Sequence, residues 1–189
     1  MKRTLAVLGL TLLSCSSVKY TSKTFFDTKP HDYQMNTDVK TLIYLCLDRA
    51  VVKERDIPDY SLISDKAHIY IQDLYYTKNG GFITAEEFNA SAVVLDDHDI
   101  PNQISGISFC LKSTSELQDI ANQSQQDFMF LNFSLISIEN NRAIVQLNNN
   151  WMVQQNSEGR YLSGGGYTCL FKKVNGQWVF DKVTKMIIS

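Results

Sequence analysis

Proline and glycine are scarce: three and nine in 189 residues, too few for a collagen-like, linker-like or low-complexity chain. Cysteine is nearly as rare, and none of the four sits in a CxxC pair or at zinc-ligand spacing from a histidine, which excludes the common zinc modules and a disulfide-stapled miniprotein. Neither charge dominates. The formal net charge is −2, so no long-range field draws the chain to nucleic acid or to anionic lipid headgroups. No apolar run approaches the roughly 20 residues needed to span a bilayer. GxSxG and HExxH are both absent, so no serine or metallohydrolase nucleophile is nominated.

What is present is a globular mixture, with 44% apolar, 11% aromatic and 20% charged residues. A body of roughly 150 residues buries about two thirds of its extended surface, enough for a core without staples.

The first residues differ from the rest. A basic start (Lys2, Arg3) is followed by an apolar run from Leu5 to Leu13 and then by Leu12-Leu13-Ser14-Cys15. A run of about nine residues makes only about 14 Å of helix, so residues 1–14 read as a signal peptide and not as a membrane span. The ending, with an aliphatic residue at −3, a small one at −1 and cysteine at +1, resembles the lipobox of bacterial lipoproteins. That resemblance implies diacylglycerol on the Cys15 sulfur, cleavage before it and acylation of the new amino terminus. Several acyl chains at about 0.8 kcal/mol per buried CH₂ would anchor the chain durably beside a bilayer it does not cross. Ser16 and Ser17 follow the cysteine where an aspartate would favour the inner membrane, so the resemblance implies the outer membrane of a bacterial envelope. Removing residues 1–14 leaves 16 basic and 20 acidic side chains, a net charge of −4. Residues 15–36 are polar and without periodicity, and read as the lipidated cysteine and a flexible tether of roughly 25 Å reach.

The remaining chain, 37–189, reads as one α+β domain. Val39, Leu42, Ile43, Cys46, Ala50 and Val51 fall on one stripe of a 3.6-residue period and predict a helix over 37–55, capped by Asn36 or Thr37, with Asp38 at its positive end and Pro58 beyond its stop. Residues 66–73 alternate, with Ile69 and Ile71 on one face and His68, Tyr70 and Gln72 on the other, as in a half-buried strand. Thr84 and Glu87 have capping-box spacing before a short helix at Ala85. Ser113 and Glu116 repeat that spacing after a strand at 107–111. Apolar runs at 128–138, 142–153, 167–174 and 178–187, divided by Asn140-Asn141, by a Gly/Ser segment and by Asn175-Gly176, predict an antiparallel meander. In 128–138 both alternating sets are apolar, so that strand should be covered on two sides.

The stretch Tyr161-Leu162-Ser163-Gly164-Gly165-Gly166, with Phe171, Lys172, Gly176, Trp178 and Phe180, resembles the C-terminal end of uncharacterised Bacteroides-type lipoproteins related to the NTF2-like (cystatin-like) fold. The resemblance implies an N-terminal helix packed in a strongly curved antiparallel sheet with a concave face, and no particular activity.

Candidate chemistry is sparse. Asp96-Asp97-His98-Asp99 is the densest polar cluster, but consecutive residues cannot converge without a special loop, and Pro101 beside it favours a solvated turn over a metal site. Gly164-Gly165-Gly166 leads into a strand, which fits a bend or bulge better than a phosphate cradle. His68, Tyr70 and Gln72 share a face and would contact a polar ligand if that face lined a cavity. Trp151, Trp178, Tyr161 and Tyr167 suit core or rim packing. Cys46, Cys110 and Cys169 lie in apolar stretches and read as buried free thiols. No catalytic residue, cofactor or metal is assigned. The expected role is a lipid-anchored binding or assembly module whose partner is an envelope protein, a small molecule or a second copy of the chain. A hydrolase or isomerase built on a cavity of the sheet is the alternative, with His68 and Tyr70 as its first suspects.

Overall fold

The computed structural model describes residues 30–76, 92–157 and 164–188. The expected signal peptide at 1–14, Cys15, the expected tether up to residue 29, the helix expected at Ala85 and Tyr161 lie outside the described residues.

Helix α1 spans Pro30–Leu47 and runs on into a π-helical turn at Asp48–Lys53. It begins before the expected Thr37, taking in 30–36, which were read as tether. Proline suits a first helical turn, where its missing N–H has no partner to lose. Asn36 and Thr37, expected as caps, therefore sit inside the helix, and Asp38, instead of lying at its positive end, pairs with Lys173 Nζ at 2.7 Å, whose ammonium also lies 4.9 Å above the Trp178 ring. The helical stripe is as expected: Leu42, Ile43, Cys46, Leu47, Ala50 and Val51 are all fully buried. The helix stops short of Pro58, because Arg55 turns into the left-handed region at φ 56°.

Nine strands follow among the described residues. β1 (His68–Gln72), β4 (Gln103–Ile104), β5 (Ile107–Lys112), β6 (Phe128–Glu139), β7 (Arg142–Met152), β8 (Gly165–Val174) and β9 (Gln177–Ile188) form one sheet in the order β4-β5-β1-β6-β7-β8-β9. β2 (Leu74–Tyr76) and β3 (Ala92–Val94) make a separate antiparallel pair. The α+β class and the C-terminal meander are as expected. Two-residue turns join β6 to β7 and β8 to β9, and Asn175 and Gly176 both adopt positive φ (52° and 79°), the demand of a type I′ turn. The expected antiparallel sheet is borne out for the most part, and its strong curvature is not. β1 is inserted between β5 and β6 and runs parallel to both. The sheet is not strongly curled, and its irregularities are local register shifts at Phe133/Leu135, Thr168/Cys169 and Leu170/Phe171.

Strand alternation sorts the sheet into two apolar faces. One carries Ile69, Ile71, Leu131, Phe133, Val145, Leu147, Cys169 and Phe171 and receives the buried stripe of α1 in the main core. The other carries Tyr70, Phe128, Phe130 and Met152 beneath Leu117 and Ala121 of α2 (Thr114–Ser124). The doubly apolar β6 is thus covered from both sides, as its sequence requires. Helix α2 starts on a complete capping box: the Ser113 hydroxyl accepts from Glu116 N–H at 3.2 Å, and the Glu116 carboxylate accepts from Ser113 N–H at 2.8 Å.

Candidate functional site

The three residues singled out on β1 share a face, as the alternation requires, but each is engaged separately. His68 is exposed, its Nδ1 lying 3.0 Å from Asp65 Oδ2. Partial burial acts to raise the Asp65 pKa; hydrogen bonds from Ala67 N–H, from the His68 ring and from His68 N–H outweigh it and hold the carboxyl below its usual range. Tyr70 is half-buried in the α2 core, its ring 5.4 Å from that of Phe128. Gln72 donates from Nε2 to Thr114 Oγ1 at 2.8 Å, tying β1 to the start of α2. Tyr70 and Gln72 lie against a helix while His68 is exposed, and the face brings no carboxylate, imidazole and phenol together.

The acidic cluster forms an exposed turn that consumes its own carboxylates. Asp96 Oδ1 accepts from His98 N–H at 2.6 Å and Asp99 Oδ2 from Asp96 N–H at 3.0 Å. Among the described residues no group of three or more histidine, cysteine or acidic side chains is arranged to hold a metal ion. The glycine triplet enters β8 in regular register, without the bulge expected there. A Cβ on Gly166 would stand 3.0 Å from Asn148 Oδ1, so close approach of that amide explains this glycine. Cys46 and Cys169 are buried free thiols as expected. Hydrogen bonding to Cys169, reinforced by burial, keeps the Cys46 thiol protonated well above its usual range. Cys110 departs from the expectation: it is disulfide-bonded. It lies on β5, one strand in from the two-residue β4 at the margin of the sheet, whereas Cys46 and Cys169 are sealed at the centre of the core.

The most polar constellation is elsewhere, on the α1 face, where the residues after the π-helical turn cross the ends of β8 and β7. Arg49, on that turn, donates from Nε to the Tyr167 hydroxyl at 3.2 Å, and the hydroxyl donates to Asp56 Oδ2 at 3.1 Å. Arg49 also lies 3.6 Å from Asp56, 3.7 Å from Glu54 and 4.0 Å above the Phe180 ring. Tyr167 is fully buried. Burial raises its pKa, and the Cys169 sulfur and the Asp56 carboxylate add to that, so the phenol keeps its proton far above the usual tyrosine range. Ile57 and Pro58 are buried, and Asp59 takes a left-handed conformation at φ 55° before the 3₁₀ turn Tyr60–Leu62. Below Pro58 lies Asn149 of β7, also fully buried. Its Nδ2 donates to the Pro58 carbonyl and contacts the Met129 sulfur at 3.7 Å.

Residues 56–59 therefore form a strap, fixed to β8 through Asp56–Tyr167 and to β7 through Pro58–Asn149. Gly165 faces Asn149 across the β7–β8 ladder and brings no side chain above it. Six buried side-chain polar atoms among the described residues have no hydrogen-bond partner: Asp56 Oδ1 and Asp59 Oδ2 on the strap, Asn149 Oδ1 and Trp151 Nε1 on the same face of β7, Asn148 Oδ1 on the opposite face of β7, and Trp178 Nε1 on β9. Orphaned groups of this kind each cost roughly 1–3 kcal/mol and are rare in a finished core.

Sequence reasoning did not find this niche, since Arg49, Asp56 and Tyr167 belong to no motif. One signal was there: Asn149 falls in phase with the inward-facing Ala143, Val145 and Leu147, so an amide was placed where the alternation calls for an apolar side chain.

No helix among the described residues is long and apolar enough to cross a membrane. No family model matches the chain, and comparison with curated proteins and with solved structures gives no match either.

Proposed function

We propose that this chain is a lipid-anchored protein of the bacterial cell envelope, held through Cys15 and more readily at the outer than the inner membrane, whose α+β domain is a non-catalytic binding module for a small molecule. The lipobox-like Leu12-Leu13-Ser14-Cys15 supports the address, and the disulfide-bonded state of Cys110 counts against it, because Cys46 and Cys169 are free and a lipidated Cys15 could not be its partner. One observation carries the binding role: Asn149, fully buried beneath the strap, directs an amide oxygen without a partner at a place where neighbouring polar atoms are also unpaired. Binding is favoured over catalysis because the one buried phenol at the site is pushed away from deprotonation and its hydroxyl is committed to Arg49 and Asp56. The NTF2-like kinship is part of the proposal. Helix α1 across one face of a mostly antiparallel sheet supports it, and the parallel pairings of β1 count against it.

Two measurements test the reading. Acyl labelling and mass analysis of the mature amino-terminal peptide should find a thioether-linked lipid on Cys15, and Cys15→Ala should release the protein from membranes or leave it unprocessed. Recovery of the Cys15 sulfur as a thiol or in a disulfide, without lipid, refutes the anchor. Native mass spectrometry of the detergent-extracted protein should detect a retained small molecule that Asn149→Leu loses. If nothing is retained and Asn149→Leu only stabilises the fold, the binding role falls.

A further inference from the structure

We draw no further inference here: the strongest candidate, the exposed apolar side chains Ile144, Val174 and Val179 on the face of β7, β8 and β9 turned away from α1, carries nothing, because nothing in the structure shows what covers that face.

Discussion

Replacing Tyr167 with phenylalanine removes a single oxygen from the middle of the Arg49–Tyr167–Asp56 chain and leaves a ring of almost the same shape in the core. Two hydrogen bonds to charged groups go with it, at 3.2 and 3.1 Å. Bonds of that kind contribute about 1.5–3 kcal/mol each when neither partner can recover. Here both partners recover in part. The Arg49 and Asp56 side chains are 29% and 28% exposed and already only 3.6 Å apart, so they can close on each other and rehydrate. The expected cost of Tyr167→Phe is therefore about 1–3 kcal/mol, a fall in thermal midpoint of roughly 3–10 °C for a domain of this size. The pH dependence is the sharper test. The folded phenol pKa lies above the unfolded value of about 10, so its contribution is fully present below pH 10 and is lost as pH rises from there toward the folded pKa. By pH 11.5 the native protein should have lost about 2 kcal/mol more than Tyr167→Phe relative to pH 8, the linkage of one proton over about 1.5 units. Urea unfolding at both pH values, with unchanged slope, measures this directly. A cost under about 0.5 kcal/mol, or parallel pH profiles for the two proteins, would refute the claim that the hydroxyl is a buried, protonated link in that chain.

Ser113→Ala should destabilise the domain by about 1 kcal/mol in urea unfolding, with Ser113→Thr close to native, because the cap of α2 is lost in one and kept in the other. The same box has an acid limit. Partial burial acts to raise the Glu116 pKa, and hydrogen bonds from Ser113 outweigh it and hold it low; that stabilisation is present above the unfolded carboxylate range and disappears as pH falls through the folded pKa, so the Ser113→Ala difference should shrink in acid. Gly166→Ala should cost about 1 kcal/mol by pressing on Asn148 Oδ1, and the double variant with Asn148→Ala should recover most of it in a mutant cycle. His68→Ala should change stability by no more than about 0.5 kcal/mol, its ring being exposed and paired only with an exposed Asp65; a larger effect would mean that the β1 surface has a role not assigned to it.

The elements with local signatures were legible. The meander from 128 to 188 follows from period-two runs and Asn-Gly punctuation, and the start of α2 from the spacing of Ser113 and Glu116. The buried stripe of α1 also followed, whereas its beginning at Pro30 did not, since 30–36 carry no apolar period. The parallel insertion of β1 between β5 and β6 is a matter of long-range pairing, on which the alternation of His68–Gln72 is silent. Sharing a face misled in one respect: Tyr70 packs in the core beneath a second helix and Gln72 bonds to its first residue, while His68 on the same face is exposed. The niche was least legible of all, because Arg49, Asp56 and Tyr167 meet across 111 or more positions of chain, brought together by a π-helical turn and a left-handed residue that no motif announces.

The position of β1 sets the order in which this molecule can be assembled. Its neighbours on either side, Ser108–Lys112 and Leu131, are synthesised after it, so a chain emerging amino end first must keep Ile69 and Ile71 waiting until residue 131 has arrived. Until then β1 has at most β5 on one side and leaves its other margin bare, the kind of edge that recruits other strands. The hairpins β6–β7 and β8–β9 can zip locally, but the two halves of the sheet join only through this five-residue seam. Cutting the chain between β5 and β6 should therefore yield two sticky fragments and no autonomous piece.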